Sequence, residues 1–240
     1  GLGWITMTAR SGSIPVAGIQ QLIRDADQAL LRDTIGILET DWHAPSLLPG
    51  WTRAHVATHL ARGADRLRRV TETSLSGASV QDVSVTDRLE ELERGADRNG
   101  LELQIDLDTS ASALTATWNA VTDWHRPVRF LGRTRPLAML PVIRLHEISV
   151  HHLDLDCGFT AEQLPPQAAA ALLGWVADRV RDIDLPAIAL EAESGFTATI
   201  GRGPVTITVQ AGDARLWAWL SGRAGLTAPD GDLPRLPLLA

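Results

Sequence analysis

The chain has 240 residues, 45% hydrophobic and 21% charged, with a formal charge of −7 and a single cysteine, Cys157. This apolar content supports a packed core and excludes disorder over most of the length, while no apolar run approaches the roughly 18 residues of a bilayer-spanning helix. The acidic balance argues against nucleic acid and anionic membrane as partners, and one cysteine excludes a disulfide framework or a multi-cysteine zinc site, so a cytoplasmic protein is expected.

All 22 Lys-plus-Arg positions are Arg, and tyrosine is absent, a bias that fits translation from a GC-rich genome such as an actinobacterial one. Residues 1–13 are set apart as an N-terminal extension, disordered or of cloning origin, because Gly1 to Thr6 precede Met7; they carry no signal-peptide pattern. Ile19, Leu22, Ile23, Ala26, Leu30 and Ile35 recur at near-helical spacing and predict a first helix over 15–38. A turn-rich stretch follows, with Ala44-Pro45-Ser46 and then Pro49-Gly50-Trp51, and Thr52 is placed to cap a second helix running to Ser74. A polar stretch over 76–84 precedes a long helical pattern over 86–121, in which Asn99-Gly100 and Asp108-Thr109-Ser110 are potential breaks. Val128–Leu131 and Thr134–Leu137 flank Gly132-Arg133 as a small hairpin. A fourth helix then runs from Leu137 or Pro141 to Leu155 and stops at Cys157-Gly158.

Four helices with a short excursion before the last read as a four-helix bundle over 14–158. Beyond Gly158 the pattern changes. Pro165-Pro166 opens a helix to Asp182, Ala187–Glu193, Phe196–Ile200 and Val205–Val209 are short β-like runs, and a short helix over 211–222 precedes a Pro-rich tail. This part reads as a small α/β domain over 159–240.

Five of the seven histidines fall in two windows, His55 and His59 in the second helix and His146, His151 and His152 in the fourth. Val56, Leu60, Gly63, Leu67 and Val70 define the inward stripe of the second helix, with His59 about 60° from its centre and His55 about 100°. His59 therefore turns toward the bundle interior and His55 sits at its edge. In the fourth helix Arg144, Glu147, His151 and Asp154 gather in one polar stripe among apolar neighbours. The stripe is either the solvated face of a mostly buried helix or a chelating face. In the second case Glu147 and His151, four residues apart, bind one ion and a histidine from a facing helix completes an open zinc site. His146-Glu147 begins like the zinc-protease motif His-Glu-x-x-His, but Val150 occupies the second histidine position.

The run Leu47-Leu48-Pro49-Gly50-Trp51-Thr52-Arg53-Ala54-His55-Val56-Ala57-Thr58-His59-Leu60 resembles the entry to the second helix of DinB-like metal-binding bundles, most closely the mycothiol-dependent maleylpyruvate isomerase family. The resemblance continues at Arg144-Leu145-His146-Glu147-Ile148-Ser149-Val150-His151-His152-Leu153-Asp154 and at Leu216-Trp217-Ala218-Trp219-Leu220-Ser221-Gly222-Arg223. It implies a DinB-like four-helix bundle followed by a small α/β domain, with a divalent metal, zinc, on His59, Glu147 and His151. It places Arg223 at the active site, positioned to pair with a carboxylate of substrate or thiol.

The chemistry implied is addition of a metal-activated external thiol, mycothiol, to the cis double bond of maleylpyruvate, then bond rotation and thiol expulsion to the trans isomer. Conjugation of mycothiol to an electrophile by a thiol S-transferase is the alternative enzyme, and a non-catalytic regulatory or binding module is the alternative class. The partners expected are a small-molecule thiol and an electrophilic substrate, on a monomer or weak homo-oligomer. Cys157 has no cationic neighbour in sequence to make it reactive and reads as structural.

Overall fold

Capping chemistry decides where the helices begin in the computed structural model, which describes residues 14–78, 85–228 and 231–239. Helix α1 spans Val16–Thr34 and buries Ile19, Ile23 and Leu30; a one-turn helix α2, Glu39–Trp42, follows. Helix α3, Arg53–Ser76, starts at Thr52, whose hydroxyl accepts from His55 N while the His55 ring accepts from Thr52 N. Helices α4, Val85–Ala96, and α5, Gly100–Asn119, occupy the third helical pattern. The pattern divides at the first potential break, because Asn99 caps α5: its side chain accepts from Glu102 N at 2.9 Å, and Glu102 answers by accepting from Asn99 N at 3.0 Å. The second potential break, at Asp108-Thr109-Ser110, is continuous helix. The expected N-terminal extension and most of the 76–84 stretch lie outside the described residues.

The hairpin β1, Pro127–Phe130, and β2, Arg133–Pro136, pairs antiparallel, and α6, Met139–Asp154, completes the bundle. Helix α3 packs against α4, α5 and α6. Its small buried residues Ala54, Ala57, Ala61 and Ala64 permit that close approach. Polar ties fix the arrangement: Arg62 reaches Asp106 at 2.5 Å, Arg98 reaches the same carboxylate at 2.8 Å, and Trp118 Nε1 donates to Thr71 Oγ1.

The described residues group into two compact units, one covering Ile19–Phe159 and the other covering Thr160 onward with the few described residues before Ile19. In the second unit α7, Pro166–Arg179, leads to a three-stranded sheet of order β4-β3-β5. The central strand β3, Pro186–Ala192, pairs antiparallel with β4, Thr197–Ile200, and parallel with β5, Arg202–Ala211. Helix α8, Asp213–Leu220, packs on α7 and buries Trp217 and Trp219 completely. Trp219 Nε1 donates to Pro234 O at 3.0 Å, which ties the Pro-rich tail to the helix. A mostly helical bundle with a small α/β unit after it is the architecture. Among the described residues no helix is long and apolar enough to cross a membrane.

The α2–α5 contact depends on a missing side chain. Gly100 N donates to the Glu39 carboxylate at 3.0 Å, and a Cβ at Gly100 would lie 2.5 Å from Cδ1 of the buried Trp42 ring. Gly100→Ala is expected to destabilise the fold by about 1–3 kcal/mol through overpacking, read as a lower urea midpoint with an unchanged slope; an unchanged midpoint contradicts this packing.

Candidate metal centre

The site is set by how α3 meets α6. Pro49-Gly50-Trp51 turns the chain so that Leu47 N donates to Asp154 O at 2.9 Å and Arg53 Nε donates to Leu155 O at 2.7 Å. The start of α3 is thereby held against the end of α6, and the two helices run antiparallel. From Arg53 to His59 the helix rises about 9 Å; from Leu155 back to His151 and Glu147 it rises about 6 and 12 Å. His59 therefore lies level with the gap between Glu147 and His151. Deeper in, the buried Arg144 donates from Nη1 to Leu60 O at 2.8 Å and lies 3.5 Å from Asp27 of α1, a second tie that holds the same register.

The three side chains converge. His59 Nε2 lies 3.3 Å from Glu147 Oε2, His151 Nε2 lies 3.4 Å from the same oxygen, and the two imidazole centroids are 4.7 Å apart, edge to face. One ligand atom from each residue falls within 4.8 Å of the others, the spacing of donors around a shared ion. The Trp51 ring packs 5.2 Å from His59 and forms an apolar wall beside it. Arg144, His151 and Asp154 are each no more than 2% exposed, so the polar stripe of α6 is not a solvated face.

Asp154 orients His151. Its Oδ2 lies 2.9 Å from His151 Nδ1; an ionised carboxylate only accepts, so the proton sits on Nδ1. His151 Nε2 is buried and makes no aligned hydrogen bond, which leaves its lone pair aimed at the Glu147 side of the site. Burial opposes ionisation of Glu147, yet the neighbouring imidazoles of His151 and His59 outweigh it and hold the carboxyl well below the usual range. Burial likewise pulls the His151 pKa down, but Asp154 and Glu147 overcome it and raise it. The buried Asp154 and the half-buried Glu147 thus create a field that favours positive charge between the imidazoles. A divalent ion satisfies that field without the protons, so the three donors, with Asp154 behind His151, fit a divalent metal.

The other sequence candidates lie elsewhere. His55 serves the cap of α3 and places Nε2 3.2 Å from Glu93. His152 stacks on Phe159, ring centroids 4.0 Å apart, and lies 3.0 Å from Asp33. Arg223 belongs to the second unit, where Nη1 donates to the carbonyls of Ser221 and Leu239. Sequence reasoning missed the positioning roles of Arg53 and Leu47. Neither has a periodic signal; only the contact across more than a hundred residues reveals them. Asp154 was visible as part of the stripe, but its orienting role needed the distance.

Comparison with known proteins adds a family. The model of the mycothiol maleylpyruvate isomerase N-terminal domain matches residues 23–156, more than half of the chain and all three converging side chains. Among solved structures, the fold is similar to a mycothiol-dependent maleylpyruvate isomerase at 24% identity and a TM-score of 0.86, covering 94% of this chain and 98% of that one. A histidine-to-alanine mutant under the same name matches over the same shares at 23% identity and the same TM-score. A protein from Clostridium difficile 630 is a more distant likeness, at 9% identity and a TM-score of 0.50 over 60% of this chain and 95% of that one. No curated protein sequence matches. The match across the helices that build the site makes this chain a member of the mycothiol maleylpyruvate isomerase N-terminal domain family.

Proposed function

We propose that the chain is a metal- and thiol-dependent enzyme, a mycothiol-dependent isomerase that converts maleylpyruvate to its trans isomer by reversible thiol addition. The observation that carries this reading is the convergence of two imidazoles and one carboxylate within 4.8 Å, with the Nδ1 proton of His151 fixed by Asp154. His59, Glu147 and His151 are the ligands in this reading. These three side chains would hold a zinc ion, which would supply Lewis acidity that lowers the pKa of a thiol. The residues of the chain do the rest. Asp154 holds one imidazole in its ligating tautomer, and Trp51 shields the His59 side from water.

The chain's own thiol does not supply the nucleophile. Burial, with Asp33 adding to it, pushes the Cys157 thiol up to about 11, so it stays protonated at neutral pH. Cys157→Ala is expected to keep metal content and activity, and the native thiol to react slowly with a disulfide reagent at pH 7; rapid labelling together with loss of activity in the variant would give Cys157 a role.

His59→Ala should lose bound zinc and activity together while circular dichroism stays native, because one of three chelating groups is gone. His55→Ala should keep both, and Asp154→Asn should weaken zinc by about 10- to 100-fold through the misoriented His151. Full zinc in His59→Ala, by elemental analysis, contradicts the ligand set.

Zinc-loaded protein given maleylpyruvate and catalytic mycothiol is expected to form the trans product without net thiol consumption. Stoichiometric loss of thiol onto an electrophile would instead identify a thiol S-transferase. A chain that folds fully, binds no zinc and turns over neither would be a non-catalytic binding module.

A further inference from the structure

Arg66 lies on α3 seven residues beyond His59, almost two full turns and on the same face of the helix. Its side chain is half-buried, and among the described residues it has no hydrogen bond or salt bridge. It lies within electrostatic reach of Glu147 and Glu91, but also of the like charges Arg69 and Arg88. Helical side chains lean toward the N-terminus of their helix, so Arg66 leans back toward the turn that carries His59.

The position between them is Gly63. A glycine inside a helix is destabilising relative to alanine, and no close contact here demands it. A Cβ at Gly63 would meet nothing nearer than Arg144 Nη1 at 3.9 Å, ordinary van der Waals contact. The missing side chain leaves one flank of α3 a bare strip between His59 and Arg66, bordered by the Arg144 guanidinium, while Arg62 covers the other flank; Glu147 of α6 acts on Arg66 from nearby. Charge gives this strip its preference. A divalent ion on two neutral histidines and one carboxylate carries a net positive charge, and Glu147 is then no longer available to balance Arg66.

We propose that the strip of α3 over Gly63, from His59 to Arg66, binds a small-molecule ligand bearing a carboxylate, with the Arg66 guanidinium as the carboxylate's partner; the proposal rests on the reading of His59, Glu147 and His151 as the metal centre. The fork of a guanidinium suits a carboxylate better than a point charge does, since it donates two parallel hydrogen bonds. Gly63 leaves room for the body of the ligand beside the metal ligands, and Arg66 orients its charged end away from them. Arg66 is thus a binding residue of this site rather than a metal ligand.

Maleate titrated calorimetrically into the zinc-loaded full chain is the test, with N-acetylcysteine as the carboxylate-bearing thiol probe. Arg66→Gln is expected to weaken maleate by about tenfold or more with zinc stoichiometry unchanged, Arg66→Lys to restore only part of the affinity, and dimethyl maleate to be insensitive to both. Gly63→Ala should raise the unfolding midpoint while weakening maleate. If N-acetylcysteine rather than maleate depends on Arg66, the carboxylate is that of the thiol. Arg66-dependent binding in zinc-free protein supports the strip even where the metal reading fails. Zinc binding with no Arg66 dependence for either probe, or no binding of either probe to the native chain, overturns this proposal.

Discussion

Everything at the site depends on the register between α3 and α6. Two helices that carry ligands are useless if either slides by one turn, because a turn moves a side chain about 5.4 Å along the axis and beyond reach of its partners. Apolar packing alone tolerates such slips. This chain resists them with directional bonds at both ends of the contact: Arg53 on the Leu155 carbonyl at the bundle end, and Arg144 on the Leu60 carbonyl deeper inside. Both are arginines reaching for backbone oxygens, which stay put when side chains move. Leu47 N on the Asp154 carbonyl adds a third bond beside the first.

A second constraint is electrostatic. Arg144, Glu147, His151 and Asp154 form a polar row inside a helix bundle, where unpaired charges are costly. The row is tolerable because each member has a partner: Arg144 has Asp27, His151 has Asp154, and Glu147 lies between two imidazoles. Such a row contributes little to stability compared with apolar packing of the same volume. Its value is that it holds donors in place at a half-buried site, where an ion meets ligands already oriented.

Much of this was legible in the sequence. The helical stripes of α1, α3 and α6, the cap at Thr52 and the hairpin around Gly132 follow from spacing and turn chemistry. The inward turn of His59 followed from helical rotation alone. The division between α4 and α5 was visible only as a possibility, because a capping asparagine looks the same whether or not the helix stops before it. The polar stripe of α6 was ambiguous for a related reason. Periodicity shows that four polar residues share a face, but not whether that face meets water or another helix. Long-range bonds such as Arg53 to Leu155 leave no periodic trace. Gly63 was counted in the apolar stripe of α3, and that pattern gives no sign that a Cβ there would meet only the Arg144 guanidinium, at 3.9 Å.

The account stands on one ion held by one residue of α3 and two of α6. X-ray absorption at the zinc edge, joined to anomalous diffraction from zinc-loaded crystals, reads that directly. The account predicts a single ion per chain bound by two imidazole nitrogens, of His59 and His151, and by a Glu147 oxygen, with no sulfur in the first shell. An ion found instead between His55 and Glu93, beside His152 and Asp33, or on the Cys157 sulfur would contradict it.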